Sequence, residues 1–441
     1  MFSLNNSRAF LCSLIILFIG FQQFPVIRVG GSFKVYELFA FFLFFLSLAS
    51  GSIGKQKELF SLLFFVLSPL ISLLFFYVAW SDDINGYYER FGNKYEFRYN
   101  VYVATLVPCF YYFLCWIAFS EISKSDVLYS NRYSIIKKII LIGHFIGWYS
   151  LSTAFLNSVV GLPSLVQMLP EWLQNVGGEN YGFRAFGFSQ EPSFYVLFQG
   201  WVFLLTYHYR HLWGKFLGGF FSAFSLMCLL MTFSSALAGF VAALFISSLF
   251  GTGFLKKIKS ISFIILFILT IYILADYLGF GDAVSYAFYR KLQDFFSMPE
   301  TTIGSGQFRA YTAALGIEIF KDYPFIGVGP GASIFFMHAY EYKIPIRIFG
   351  ETLNAGSFPQ NSYISVLSDL GVIGFLSMLA LLYYIYKVIA KARKINSEIT
   401  PFYTGMLFTL FSLLSVAPAY SMFIWVFPAF GVCIARHINT K

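Results

Sequence analysis

The chain has 441 residues, of which 58% are hydrophobic, 22% are aromatic and only 12% are charged. Soluble domains carry about 25% charged residues, so this composition cannot build a water-facing surface. It therefore excludes a soluble enzyme and a nucleic-acid-binding protein. If about twelve segments of ~20 residues cross a bilayer, roughly 200 residues remain for loops and ends. The composition predicts an all-α, polytopic transmembrane helical bundle that forms a single integral membrane domain over residues 1–441.

Apolar runs predict where the chain crosses the bilayer. The first run is expected to remain as a helix, because it lacks the small-residue cleavage site of a signal peptide. The last two are alternatively re-entrant rather than spanning. In chain order, the predicted segments are Ala9–Phe24, Val35–Ser50, Leu59–Trp80, Tyr99–Phe119, Ile135–Phe155, Pro192–Tyr207, Phe216–Phe233, Ser235–Phe250, Ser260–Tyr277, Tyr363–Tyr386, Phe402–Val416 and Ala419–Arg436.

The net charge of +9 predicts an orientation rather than a nucleic-acid partner. If the N-terminus is cytoplasmic, most of the 30 lysines and arginines fall in the inner loops, and most of the 21 acids fall on the outer side. Short basic clusters such as 256–259 and 391–394 hold loops on the cytoplasmic face. Both termini are accordingly predicted to be cytoplasmic. The two longest connections, 156–191 and 278–362, then face outward, with short helices expected at Ala283–Phe296 and Gln307–Asp322.

The first candidate motif closes the first outer loop, from Tyr181 to Ser193. Pro192 suits the first turn of a helix, where its missing N–H is no loss, and Glu191 suits the positive helix end. A capped helix start is one interpretation of this pattern. The other is functional, since an arginine (Arg184) and a carboxylate lie where the chain enters the membrane, which is a costly place for charge.

The second motif lies in the longer loop and combines Arg309 with a turn containing Gly327, Gly329 and Gly331. Such a turn before a helical segment, Ala332–Tyr340, is suited to exposing backbone N–H groups to an anion. A purely structural turn is the alternative. Arg290 lies upstream and is a candidate to join Arg309.

The third motif, with Gln360, Asn361 and Tyr363, precedes the apolar run at a predicted outer boundary. Asn361 either caps the helix or contributes to a site. There is no His-Glu-x-x-His, no cysteine pair at zinc spacing and no Walker glycine-lysine loop in the sequence, so no metal or other cofactor is predicted. Several arginines and one carboxylate suit a phosphate-bearing substrate, which arginine binds through paired, charge-assisted hydrogen bonds.

With these motifs in this order, the sequence resembles the O-antigen polymerase and O-antigen ligase superfamily of bacterial membrane glycosyltransferases. The resemblance covers roughly Tyr181 to Phe375. It rests on Arg184-x-x-Gly187-x-x-x-Glu191-Pro192-Ser193, on Arg309 followed by Pro324-Phe-Ile-Gly327-Val-Gly329-Pro-Gly331, and on Gln360-Asn361-Ser-Tyr363 before Gly371-Val-Ile-Gly374.

The resemblance implies a GT-C-like enzyme of the bacterial inner membrane that transfers glycan from an undecaprenyl diphosphate carrier at the periplasmic face, without metal. Donor and acceptor would both be lipid-linked oligosaccharides. Arg184 and Arg309 would bind the donor diphosphate, assisted by Arg290, and Glu191 would activate the acceptor hydroxyl or orient Arg184. The glycine turn, Gln360, Asn361 and Tyr363 would contribute to substrate binding. A chain-length regulator is an expected partner from the resemblance alone.

Three activities remain open on the sequence. Ligases of the superfamily characteristically have a histidine where Gln360 stands, and glutamine cannot accept a proton as a base, so a polymerase is favoured over a ligase. A lipid-linked oligosaccharide flippase is the alternative from another class. It should place its charges along a central cavity, whereas the notable groups of this chain concentrate in two outer loops.

Overall fold

The computed structural model describes residues 4–22, 26–28, 32–52, 59–80, 101–156, 184–189, 192–234, 236–249, 305–344, 358–416 and 418–440. Within these ranges the chain is almost entirely helical. Its two strands, β1 (Val26–Arg28) and β2 (Ser32–Lys34), form a small antiparallel hairpin in which Ile27 pairs with Phe33. The predicted all-α membrane bundle is confirmed, and the hairpin is an addition that the hydropathy pattern does not predict.

The α-helices have the following bounds. In chain order they are α1 (Leu4–Phe18), α2 (Val35–Ala49), α3 (59–80), α4 (Val101–Lys124), α5 (Asp126–Ser130), α6 (Arg132–Phe155), α7 (Pro192–His208), α8 (Lys215–Leu230), α9 (Ala236–Leu249), α10 (Ser305–Asp322), α11 (Ser333–Tyr340), α12 (Ser362–Ile395), α13 (Thr400–Ser412) and α14 (Met422–Asn439). Short 3-10 turns lie at Arg210–Trp213, Glu341–Lys343 and Ser397–Ile399.

Each predicted span overlaps a described helix, apart from Ser260–Tyr277, which lies outside the described residues. By length and composition, the described helices long and apolar enough to cross a membrane are Leu59–Val78, Thr105–Lys124, Arg132–Phe155, Ser362–Ile395 and Met422–Asn439. Shorter apolar helices include α1, α2, α8 and α9. With 13 residues, α13 is about 20 Å long, which is less than the ~30 Å hydrocarbon core.

Two boundaries differ clearly from the predicted ones. The first helix was expected at Ala9–Phe24 and instead runs from Leu4 to Phe18. It ends where the chain packs closely, since a Cβ on Gly20 would lie 2.5 Å from the Phe198 ring. The helix expected to end at Tyr386 continues to Ile395, because hydropathy marks where the bilayer ends and not where helical hydrogen bonding ends.

In the long connection at 278–362, the helix expected at Gln307–Asp322 is confirmed as α10, and the helical segment at Ala332–Tyr340 is confirmed as α11. The helix expected at Ala283–Phe296 lies outside the described residues. Helices α10 and α11 pack on each other and on Phe76 in α3 to form a second apolar cluster beside the main core. This part of the loop is therefore a packed subdomain.

Helix α7 is the centre of the bundle, since every residue from Pro192 to Thr206 is buried. It contacts α13 through reciprocal close approaches. A Cβ on Gly200 would lie 2.4 Å from the Phe408 ring, and a Cβ on Gly405 would lie 2.3 Å from the Trp201 ring. The helix that begins at the first candidate motif is thus fixed on all sides.

Contacts between helix ends show that the bundle has two chemically different ends. One end is basic: Arg8 pairs with Glu121 at 3.2 Å, and the Arg393 guanidinium donates to the Ser247 carbonyl oxygen at 3.1 Å. The opposite end carries the described residues of the candidate motifs, and we call it the motif end. Arg8 and Arg393, which belong to the predicted inner loops, therefore lie at the end away from the described motif residues, and the side of the membrane that each end faces stays a prediction.

Candidate functional site

Arg184 is held at the motif end by the turn between α8 and α9. Its Nε donates to the Thr232 carbonyl oxygen at 3.0 Å and its Nη2 to the Phe233 carbonyl oxygen at 3.3 Å. The neighbouring Ala185 N–H donates to the Met231 carbonyl oxygen at 2.8 Å. Phe233 has a φ of 44°, a left-handed conformation that costs a non-glycine residue energy. The strained turn presents successive carbonyls to one guanidinium.

The segment after Arg184 is locked into the bundle. The Gly187 N–H donates to Ser150 Oγ at 2.9 Å, and Gly187 has a φ of 57°. The Phe188 ring stacks on Tyr149 with centroids 4.1 Å apart and planes 5° apart. Because these contacts come from α6, the position of Arg184 is set by helices and not only by its loop.

Arg309 joins the first and second motifs. It lies in the second turn of α10, half-buried, and its Nη2 donates to Ser193 Oγ at 3.3 Å. Ser193 follows Pro192, the first residue of α7, so the predicted helix start at Pro192 is confirmed. The two arginine-bearing motifs, 116 residues apart at Ser193 and Arg309, therefore meet at the head of the central helix.

Arg309 is also tied to the third motif. Thr312 donates through Oγ1 to the Arg309 carbonyl oxygen at 3.2 Å, and the same Oγ1 accepts the Gln360 N–H at 3.2 Å. One turn further on, a Cβ on Gly316 would lie 2.7 Å from the Ile364 side chain. Helix α10 thus runs against the start of α12, and all three motifs share one end of the bundle.

The glycine turn pairs with the backbone of α12. Gly327, Gly329 and Gly331 all have positive φ, as the predicted turn requires. The Val328 N–H donates to the Ser368 carbonyl oxygen at 3.0 Å, and the Gly329 N–H donates to the Asp369 carbonyl oxygen at 2.9 Å. The N–H groups of Val328 and Gly329 are therefore taken up by α12, while substrate contacts of Gly327, Gly329 and Gly331 stay predictions.

The same pairing breaks α12. Gly371 has φ 64° and ψ −164° inside the helix, and a Cβ there would lie 2.4 Å from the Phe325 carbonyl group. Beyond the break, the Val372 N–H donates to the Pro324 carbonyl oxygen at 2.8 Å. The loop segment 324–329 is accordingly inserted along a gap in the helix, and glycine on both sides makes the approach possible.

Asp369 is a buried carboxylate at this crossing that the sequence reasoning did not single out. Only 1% of the residue is exposed, and its Oδ1 accepts the Ser333 N–H at 3.0 Å at the start of α11. Its carbonyl oxygen also accepts from Ser72 Oγ at 2.8 Å, in the part of α3 that lies between two π-helical stretches. In the sequence, the signal for Asp369 is a carboxylate within an apolar run, close to Gly371.

Asn361 and Tyr363 have structural partners. Asn361 caps α12, accepting the Tyr363 N–H at 3.0 Å and the Ile364 N–H at 3.3 Å through Oδ1, so the capping interpretation is confirmed. The Tyr363 hydroxyl donates to the Leu410 carbonyl oxygen at 2.9 Å. Gln360 is half-buried beside this cap. Substrate contacts of these three residues stay predictions.

Glu191 and Arg290 lie outside the described residues, so their predicted roles stay predictions. Among the residues that the structure describes, no three His, Cys, Asp or Glu side chains come together as a set that would hold a metal ion. Chemically, the described arrangement anchors the Arg309 guanidinium at the head of α7 and the Arg184 guanidinium at the turn between α8 and α9. Such groups stabilise negative charge that develops on an oxygen.

The fold and this end of the bundle define an integral membrane protein in which the described residues of three sequence motifs lie at one end. Residues 220–379 match the model of the family described as O-antigen ligase. This match confirms the resemblance to the O-antigen polymerase and ligase superfamily over a stretch that includes Arg309, the glycine turn and the third motif. A search of curated proteins found no match.

Proposed function

We propose that the protein is a bacterial inner-membrane glycosyltransferase that polymerises undecaprenyl-diphosphate-linked oligosaccharide repeats into O-antigen or a related surface polysaccharide. The observation that carries the proposal is the hydrogen bond from Arg309 to Ser193. It unites the two arginine motifs, within a chain whose residues 220–379 match the O-antigen ligase family model. Two anchored arginines suit a diphosphate, whose charge grows as it leaves.

In the proposed reaction, a hydroxyl oxygen of the acceptor sugar attacks the anomeric carbon of the donor. The bond from that carbon to the diphosphate oxygen breaks, and the diphosphate leaves with the electron pair. Arg184 and Arg309 stabilise the charge on the leaving group, so the reaction needs no divalent metal. The acceptor proton passes to a base, a role we assign to Glu191, which alternatively orients Arg184.

The direction of the bundle follows from its charge. The basic end, with Arg8, Arg393 and their neighbours, is proposed to face the cytoplasm, because basic residues hold loops there. The motif end then faces the periplasm, where lipid-linked repeats accumulate. This orientation leaves both termini cytoplasmic and gives a chain-length regulator access to the periplasmic side.

A ligase is the second candidate, because the matched family model bears that description. A ligase would transfer the same donor to lipid A core. We favour the polymerase, since Gln360 stands at the position where the ligase branch characteristically has histidine. A glutamine side chain has no proton-accepting group at neutral pH.

A deletion strain separates the candidates. Loss of a polymerase leaves lipid A core with one repeat, loss of a ligase leaves it bare, and loss of a flippase traps repeats on the cytoplasmic side. Complementation with Arg184→Ala or Arg309→Ala should give single-repeat glycans at normal membrane levels. Arg393→Ala is the matched control, because that guanidinium also binds a backbone carbonyl but lies at the basic end.

The metal-independent mechanism is tested with purified protein and lipid-linked repeats in EDTA. Chain extension should proceed at the rate seen without chelator. Recovery of activity only on addition of Mg²⁺ or Mn²⁺ would refute catalysis by the arginines alone. Full-length glycan ladders from both arginine variants would refute the assignment of the arginines themselves.

A further inference from the structure

A second polar cluster lies at the motif end, and none of the three motifs contains it. Glu37, in the first turn of α2, is 3% exposed, and its Oε1 lies 3.4 Å from Lys34 Nζ. Its Oε2 accepts the Lys34 backbone N–H at 2.9 Å and the Tyr111 hydroxyl at 3.3 Å. The Lys34 side chain keeps 23% of its surface exposed, but burying the Glu37 carboxylate in a membrane protein is costly, so its position requires a reason.

Two tyrosine rings lie beside this pair. Tyr111 and Tyr420 stack with centroids 6.2 Å apart and planes 19° apart, and both residues are half-buried. Tyr112 meets Tyr420 edge-on at 5.5 Å, and the Cys115 Sγ donates to the Tyr420 carbonyl oxygen at 3.2 Å. We call the Tyr111–Tyr420 pair, with Glu37 and Lys34, the tyrosine platform.

The tyrosine platform adjoins the glycine turn, and the chain on either side of Tyr420 contacts the other two motifs. A Cβ on Gly331, in the glycine turn, would lie 3.8 Å from the Tyr420 hydroxyl. The loop before Tyr420 holds the start of α12, because the Ser362 N–H donates to the Leu413 carbonyl oxygen at 2.8 Å. Phe194, next to Ser193, packs on Phe423 with centroids 5.4 Å apart. The segments flanking Tyr420 therefore pack on the starts of α7 and α12.

We propose that the tyrosine platform binds a sugar ring of the lipid-linked substrate, the ring stacking on Tyr420 and a sugar hydroxyl donating to the Glu37 carboxylate. The inference rests on the proposed glycosyl transfer and adds the site for the carbohydrate part. The faces of aromatic rings carry partial negative charge, which attracts the C–H groups of a sugar ring. A carboxylate accepts hydroxyl protons through strong, charge-assisted hydrogen bonds.

If Glu37 only caps its own helix, Glu37→Gln should leave binding of the sugar unchanged. Glu37 accepts the N–H of Lys34 at the start of its own helix, and glutamine fills that capping position as well as glutamate does. Glu37→Gln therefore keeps the cap and removes only the charge. Tyr420→Phe keeps the ring and removes only the hydroxyl, whereas Tyr420→Ala removes the stacking surface.

The test measures binding of two probes to purified full-length protein in lipid nanodiscs. One probe is undecaprenyl diphosphate carrying the repeat unit from the native cells, and the other is bare undecaprenyl diphosphate. Glu37→Gln and Tyr420→Ala should weaken the glycan-bearing probe roughly tenfold, because a charge-assisted bond or a stacking face is lost. The bare lipid should bind all variants as it binds wild type, and Tyr420→Phe should keep most of the affinity.

The Glu121→Gln variant is the matched control, because Glu121 forms a comparable partly buried ion pair with Arg8 at the opposite end. It should bind both probes normally. Equal weakening of both probes, or of neither, by Glu37→Gln and Tyr420→Ala would overturn the platform while leaving the glycosyltransferase proposal intact. Failure of wild type to bind either probe would instead refute the proposed function, and the platform with it.

Discussion

Arg309 Nη2 donates to Ser193 Oγ at 3.3 Å, across 116 residues of sequence. Ser193 is buried and belongs to the first turn of α7, the helix packed on all sides at the centre of the bundle. Arg309 is half-buried in α10, which belongs to the loop subdomain. The contact therefore fixes a guanidinium on the subdomain against the rigid centre of the membrane domain.

Removal of the Ser193 hydroxyl should misplace Arg309. A hydrogen bond to a charged group is worth about 1.5–3 kcal/mol, and each 1.4 kcal/mol is tenfold in rate. Because Arg309 keeps its charge, we expect Ser193→Ala to lower the polymerisation rate by roughly tenfold, measured on purified protein. The affinity of Ser193→Ala for the donor should fall by a smaller factor than its polymerisation rate.

Ser193→Thr retains a hydroxyl and should restore most of the rate. If only the size of the Ser193 side chain mattered, the larger threonine would not restore it. Ser377→Ala is the matched control, since Ser377 is a half-buried serine in α12 whose Oγ donates to its own helix at the Ile373 carbonyl oxygen. A rate for Ser193→Ala equal to that of wild type would show that the contact does not position Arg309.

Arg184 should not tolerate lysine. One guanidinium reaches the Thr232 and Phe233 carbonyl oxygens through two different nitrogens, which a single ammonium on a flexible stem does not reproduce. We expect Arg184→Lys to lose at least tenfold in the yield of long chains in cells. Arg393→Lys, at the basic end, should give a normal glycan ladder, and a normal ladder from Arg184→Lys would contradict the two-carbonyl anchoring.

Local signals in the sequence predicted the helix starts. Pro192 and Asn361 favour a helix start through contacts within the first helical turn, and both α7 and α12 begin where these residues predict. Apolar runs predicted the membrane helices for the same reason, since a helix in lipid must be apolar along its length.

Contacts between distant segments were not predictable in this way. The break of α12 at Gly371 depends on the loop at Pro324–Gly329, and nothing in the helix sequence specifies that pairing. The Arg184 anchor depends on backbone carbonyls, which every residue possesses, so the sequence shows the arginine but not its partner. The glycine turn matched an anion-binding pattern, because positive φ suits both a phosphate loop and a close backbone crossing.

A glycine series separates conformational strain from steric contact. Gly219, in α8, has open space at its Cβ position, so Gly219→Ala should raise stability by up to about 1 kcal/mol. Gly51 has φ 63° and open space, and Gly51→Ala should cost about 1–2 kcal/mol. Gly327 has φ 69°, and its Cβ would lie 2.3 Å from the Asp369 carbonyl carbon.

Because strain and backbone overlap combine at Gly327, we expect Gly327→Ala to cost more than about 3 kcal/mol, in the range of severe core changes. Thermal unfolding of the purified variants in detergent should show the highest melting temperature for Gly219→Ala, a lower one for Gly51→Ala and the lowest for Gly327→Ala. A Gly327→Ala variant as stable as Gly51→Ala would show that the loop does not cross α12 as closely as described.

The loop subdomain should lose stability in acid through Asp322. The Lys343 ammonium, 2.6 Å away, and the Tyr340 hydroxyl hold the pKa of the Asp322 carboxyl below its usual range. Since the folded pKa is lowered, the carboxylate stabilises the fold above its unfolded pKa of about 3.9, and this contribution disappears as the pH falls through the folded pKa.

The expected signature is a melting temperature of Asp322→Asn that lies below wild type between about pH 5 and 8 and converges with it in more acidic solution. The difference should be small, up to about 1 kcal/mol, because the pair is partly exposed. Glu318→Gln is the control: its partner Lys321 is in the same helix at 2.6 Å, so that pair ties no two elements together. An Asp322→Asn difference that stays unchanged however far the pH falls below about 3.9 would contradict an ionic link, because protonation of the wild-type carboxylate below its folded pKa removes the charge.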